Sequence, residues 1–351
     1  MPPSTPTMRA SATDWAAAIA GATAPDALPA LAQSIRRHGF ALLEEGVPAP
    51  ALTGSVTGLN DLLTRRALEL HPGLAAARNV RFAWMSLGSA GRCEQTLFTD
   101  QDNALIFADD GDAEAARAIL LPLARDLNRT LGRCGFRLCP GDVMAGNPQW
   151  CLSLAEWRAA FGHWVEAADP KALLNASIFF DFRTVWGEAS LVDELRAWLF
   201  ERVRRRPLFL RLMTSNALQN HPPLGFFDRF RLRRGPGGRY FNSKLNAVSL
   251  FTDAARIFAL ARGIPATSTV ERLRGWARHA SEVREAESWI GAFSMLQGYR
   301  LRRQLECDRA GRPLDNDVYP AALGAFDRSV LRACLREAAA VQAALALQYR
   351  L

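Results

Sequence analysis

The sequence predicts an α+β protein in which a small mixed sheet is flanked by N-terminal helices and followed by a C-terminal helical bundle. Three observations lead to this. Apolar residues recur at three- and four-residue spacing through residues 14–70, short apolar strands with Gly- and Asp-rich turns follow, and helical spacing returns from Leu154. At 351 residues, 49% hydrophobic and 22% charged, the chain can bury cores for two or three compact units. The pattern places an N-terminal helical segment at 1–75, a sheet-bearing core at 76–200 and a C-terminal helical domain at 201–351.

Each element has a local cause. Leu28, Leu31 and Ile35, then Leu59, Leu62, Leu63 and Leu68, form apolar stripes, with Asn60-Asp61 and Arg65-Arg66 expected to face away. Residues 80–87 turn extended, carry Phe82 and Trp84, and stop at Gly88. Residues 103–107 read as a second strand, and Asp109-Asp-Gly-Asp112 as a turn that N-caps a helix from Ala113 to about Cys134. Residues 136–139 predict a further short strand before Pro140-Gly141 bends the chain ahead of Asp142. Beyond Leu154 the helices are punctuated by Pro170, Pro207, Pro222-Pro223 and a Gly/Pro-rich loop at 233–239. Trp150, Trp157 and Trp164 recur every seven residues, which core packing explains better than base stacking.

Composition narrows the function. No apolar stretch approaches the roughly 20 residues of a membrane span, and residues 1–15, rich in Pro, Ser and Thr, lack the apolar core of a signal peptide, so a cytoplasmic protein is expected. Six cysteines form no C-x-x-C pair and five histidines are dispersed, which predicts reduced, mostly buried thiols. The net charge of +8 suits an anionic partner, but Lys occurs only at 171 and 244 and an arginine skew from GC-rich coding accounts for the same charge.

Chemistry concentrates in Gly88-Ser-Ala-Gly-Arg-Cys-Glu-Gln-Thr-Leu-Phe-Thr-Asp-Gln-Asp-Asn-Ala-Leu-Ile-Phe107. Glycine lets main-chain N–H groups approach phosphate oxygens, and the adjoining hydroxyl of Ser89 adds a donor. Asp100 and Asp102, two apart at a strand start, emerge on one face and suit a pair of Mg²⁺ ions beside a bound triphosphate. Two such ions support in-line displacement at phosphorus, hence nucleotidyl transfer.

These twenty residues resemble the nucleotidyltransferase superfamily with the DNA polymerase beta-like fold. Within it they resemble the bacterial branch of protein-PII uridylyltransferase and glutamine-synthetase adenylyltransferase, and its signal-transduction nucleotidyltransferases in particular. Cys139-Pro-Gly-Asp-Val-Met-Ala-Gly-Asn147, the segments 177–183 and 216–227, and Asp253-Ala-Ala-Arg-Ile257 with Thr269-Val-Glu-Arg-Leu273 also resemble that group, the last two its C-terminal substrate-binding domain. The resemblance implies transfer of a nucleoside monophosphate to a hydroxyl, with a PII-like regulatory protein as the expected acceptor. Nucleic acid is not an expected partner. A non-catalytic nucleotide sensor using the same pocket is the alternative.

Three assignments stay open at this level. A third carboxylate commonly completes such sites: Asp142 follows the long helix and fits, though a Pro-Gly-Asp turn explains it equally, while Asp181 reads as a structural acid paired with Arg183. Arg92 is expected to meet a phosphate, with a pairing to Glu94 as the other reading. The runs 202–206 and 231–239 suit an acidic protein or phosphate, or are simply solvated faces.

Overall fold

The computed structural model describes residues 11–235, 237–280 and 282–351. Residues 1–10, part of the stretch read as lacking a signal core, lie outside the described residues. In chain order the first part of the structure holds α1 (Ala12–Ala20), α2 (Leu28–Glu44), α3 (Ala49–Glu69), β1 (Phe82–Ser86), the single turn α4 (Gly88–Gly91), β2 (Asn103–Phe107) and α5 (Ala113–Arg133). There follow β3 (Cys151–Ser153), α6 (Leu154–Ala167), α7 (Pro170–Phe179), β4 (Arg183–Gly187) and α8 (Ala189–Arg204). Contacts divide the chain into two compact units, one running through residue 46, 51–164 and 174–201, the other comprising 47–50, 165–173 and 202–351. The N-terminal helices and the sheet thus share a unit.

The sheet of the first unit has the order β3-β2-β1-β4. β1 lies antiparallel to β2 and β4, and β3 is parallel to β2 across the α5 connection, so the sheet is mixed as its pattern implied. All five residues of both β1 and β2 are buried. Strands buried on both faces read as continuous apolar runs, as Phe-Ala-Trp-Met-Ser and Asn-Ala-Leu-Ile-Phe largely do. The expected cap is present: Asp112 accepts from the N–H groups of Glu114 and Ala115 at the start of α5. Trp157 and Trp164 of α6 form an aromatic core with Phe161 and Phe179, joined by Trp150 from the turn before β3, and the Trp157 indole donates to the Leu105 carbonyl at 2.9 Å.

Two local expectations differ from the structure. Residues 136–139 contribute only one bridging residue, Arg137, which exchanges main-chain bonds with Thr99 and Gln101, because the turn closed by Asp142 N–H on Cys139 interrupts the pairing. The third strand is β3, hidden in sequence because its three residues sit directly against the apolar start of α6.

The second unit holds α9 (Pro207–Ala217), β5 (Arg233–Gly235), β6 (Gly238–Asn242), α10 (Ser249–Arg262), α11 (Thr269–Ala280), α12 (Val283–Arg309), β7 (Asp317–Val318) and α13 (Ala325–Tyr349). The bundle core stacks Phe258 on Trp276 at 4.8 Å and Trp276 on Trp289 at 5.0 Å. The region read as a Gly/Pro-rich loop is instead the hairpin β5–β6, extended by β7 into a small sheet.

Candidate active site

β1 ends at the one-turn helix α4, and β2 returns antiparallel beside it, which brings the two halves of the motif together. The Leu87 N–H donates to the Asp102 carbonyl at 2.9 Å. Gly88 adopts φ +53, and a Cβ placed there would lie 3.1 Å from Asp102 Oδ2, so the carboxylate is seated against the bare glycine. The opening N–H groups of α4 have no acceptor within so short a helix, and the half-buried Ser89 follows Gly88 in that turn. Gly91 is required for a different reason: a Cβ there would lie 1.8 Å from the Asp181 carbonyl oxygen.

Asp100 and Asp102 line one cleft together with Ser86 and Asn103. Gln101, between them, is tied to the protein: its amide donates to the carbonyls of Asn128 at 2.9 Å and Phe136 at 3.0 Å, and accepts from Asn128 at 2.8 Å. Asn128 also donates to Asn103 Oδ1 at 2.9 Å. This buried amide network clamps Asp-Gln-Asp-Asn onto α5 and explains the polar residue between the acids. Asp100 pairs with Arg137 at 3.0 Å, and the Cys139 thiol, pushed up by burial and then by the adjacent Asp102 charge, hydrogen-bonds that carboxylate.

The donor set fits a hard cation. Three carboxylates, those of Asp61, Asp100 and Asp102, share the cleft with hydroxyl and amide oxygens, while among the described residues no three or more His, Cys, Asp or Glu gather closely enough to hold a metal ion. Oxygens from a bound phosphate would therefore complete any shell. At about 30 Å³ the cleft has room for a cation and a water but not for a nucleotide.

The remaining expected residues are placed as follows. Asp142 is exposed at φ +52, accepts from Asn147 Nδ2 at 2.9 Å, and lines a neighbouring hollow of about 330 Å³ with Arg125 and Asn128. Its chain position is nevertheless adjacent to Asp102, because the Asn103 N–H donates to the Val143 carbonyl. Arg92 is committed to protein, donating to Glu94 at 2.7 Å and to the fully buried Asp181 at 2.6 Å, so a phosphate contact would have to displace a carboxylate. The expected Asp181–Arg183 pair is not formed. Arg183 instead grips Asp61 through bonds of 2.7 and 2.9 Å and the Ala90 carbonyl through two more.

α3 corrects a further expectation. Asn60 and Asp61, read as facing away, face inward: Asn60 is 7% exposed and donates to Gln95, and both residues line the cleft with Thr64. Burial pushes the Asp61 carboxyl up, against the pull of Arg183. The signal available in sequence was the unbroken polar row Thr57, Asn60, Asp61, Thr64 on one side of the helix.

Residues 33–171 match the family model described as "Putative nucleotidyltransferase DUF294", and residues 207–349 match that described as "Putative nucleotidyltransferase substrate binding domain". The chain belongs to this nucleotidyltransferase family. The first match spans the glycine-serine turn, the paired aspartates and Asp142, and the second spans α9 to α13. For a nucleotidyltransferase of this family a nucleotide is the implied substrate. No curated protein matches the chain. Among the described residues no helix is long and apolar enough to cross a membrane.

Proposed function

We propose that this nucleotidyltransferase transfers a nucleoside monophosphate from a nucleoside triphosphate to a hydroxyl in the cytoplasm, with Mg²⁺ held by Asp100 and Asp102. The observation that carries this reading is the seating of Asp102 against Gly88 in a cleft shared with Asp100. Mg²⁺, when bound, supplies charge neutralisation on the phosphates. The turn at Gly88 and Ser89 binds phosphate oxygens through N–H groups and a hydroxyl. The acceptor oxygen bonds to the α-phosphorus, the bond to the β-phosphate bridge breaks, and pyrophosphate leaves with the electron pair. Asp142, one main-chain rung from Asp102, takes the hydroxyl proton after parting from Asn147. By the resemblance to protein-PII uridylyltransferases, the acceptor is a side-chain hydroxyl on a PII-like regulatory protein.

A second reading, nucleotide sensing without transfer, is favoured by the small cleft and the engaged Asp142. One experiment separates them: the protein is incubated with Mg²⁺, each labelled triphosphate and a PII-type protein, and pyrophosphate release and label transfer are measured. Transfer is expected, and Asp102→Asn should reduce it at least 10²-fold with an unchanged circular dichroism spectrum. Saturable triphosphate binding with no turnover would establish the sensor reading instead.

A further inference from the structure

The second unit contains a hollow of about 310 Å³, within the range of roughly 300–1,000 Å³ common for small-molecule sites. We propose that this hollow, between α12, β7 and the start of α13, is a ligand site for a flat aromatic molecule that carries a phosphate or carboxylate.

Two tyrosines give the hollow its flat walls, and both are held before any ligand arrives. The Tyr319 ring packs against Gly237, where a Cβ would lie 3.1 Å from the ring, and lies 5.7 Å from the Tyr240 ring. Arg303 sits 5.0 Å over Tyr319 and is itself locked by two 2.6 Å bonds to Asp315. Tyr299 is fixed by its hydroxyl, which donates to the Asp327 carbonyl at 3.1 Å. Val318 and Leu323 complete an apolar lining. Rings ordered in advance lower the entropy lost on binding, and planar ligands stack on them.

The charge specification comes from the rim. Arg303 is spent on Asp315, but Arg302 and Arg312 also line the hollow, and neither forms an ion pair among the described residues. Arg302 lies 5.7 Å from the Tyr299 ring centre, so its guanidinium borders the flat wall. Exposed guanidiniums beside an aromatic wall suit a planar anion, which they can engage bidentately. Three acids share the lining: Glu306 stands 3.5 Å from Arg303, burial and then the neighbouring Asp315 charge push the Asp317 carboxyl up, and Asp327 lies in the first turn of α13, where the partial positive charge of the helix N-terminus offsets part of its own.

The test is isothermal titration of the full-length protein with a nucleoside monophosphate, 4-hydroxyphenylacetate, benzyl alcohol and inorganic phosphate. At least one of the two aromatic anions should bind saturably, and which one binds identifies the anionic group. Arg302→Ala or Arg312→Ala should weaken binding about tenfold or more. Leu323→Trp, which fills the hollow, should abolish it, and Asp102→Asn should leave it unchanged. Failure of both aromatic anions, equal binding of benzyl alcohol or phosphate alone, or loss in Asp102→Asn overturns the assignment. Because Leu323→Trp is able to disturb folding, the two exposed arginine variants decide the matter if its thermal transition is lost. The site is independent of the proposed transfer reaction, so failure of one leaves the other standing.

Discussion

Gly88 and Gly91 are three residues apart, but their substitutions should separate stability from activity. At Gly91 the obstacle to a side chain is the backbone carbonyl of Asp181, 1.8 Å from the would-be Cβ, which cannot rotate away. Gly91→Ala should cost about 3 kcal/mol or more, as overpacking against a fixed backbone does, and lower Tm by roughly 6–12 °C. At Gly88 the obstacle is the Asp102 side chain, 3.1 Å away, together with a φ of +53 that alanine adopts at a cost of about 1 kcal/mol. Gly88→Ala should therefore lower Tm only slightly, while the displaced carboxylate costs activity well beyond the stability loss. Calorimetry and a turnover assay on both variants check this; equal losses of activity per degree of Tm would contradict it.

Elements in this protein are joined by arginine–carboxylate clamps, and their pH dependence can be worked out. Arg303 of α12 holds Asp315, just ahead of β7, through paired 2.6 Å bonds. Burial raises the Asp315 carboxyl, but the Arg303 bonds and the Asp317 N–H outweigh it and leave the pKa below the usual 3.8. A depressed folded pKa means that the unfolded chain binds more protons, so this stabilisation is present above about pH 4 and is lost as pH falls through the folded value. Asp315→Asn should cost about 1–2 kcal/mol at pH 7, reduced by partial exposure, and the gap should narrow as pH falls below 3.8. Urea unfolding at pH 7 and pH 3 measures it. β2 and the Asp112 cap of α5 were legible because period and capping chemistry are local. The inward polar row of α3 was not, since helical spacing distinguishes two faces without saying which meets a buried polar site. The paired aspartates were legible as a spacing, whereas the commitment of Arg92 to Asp181 joins residues 89 apart and leaves no local trace.

Across the whole molecule, six free thiols report on the two units separately. Burial pushes Cys134 and Cys151 of the first unit up to about 12 and Cys334 of the second up to about 11, and Cys307 is fully buried there. The thiolate is the reactive form, so at pH 8 burial suppresses reaction both by excluding the reagent and by keeping the sulfur protonated. Each unit has its own core, one around Trp157 and Phe161 and the other around Phe258, Trp276 and Trp289. Opening of a core should release its thiols together, since cooperative units open as a whole. Pulsed iodoacetamide labelling along a urea series, read by mass spectrometry, should show Cys134 and Cys151 appearing in one transition and Cys307 and Cys334 in one transition of their own midpoint or a shared one. Labelling of Cys151 ahead of Cys134, or of Cys151 in native buffer, would mean that β3 at the sheet edge opens locally. The unit would then not be a single cooperative body around the candidate site.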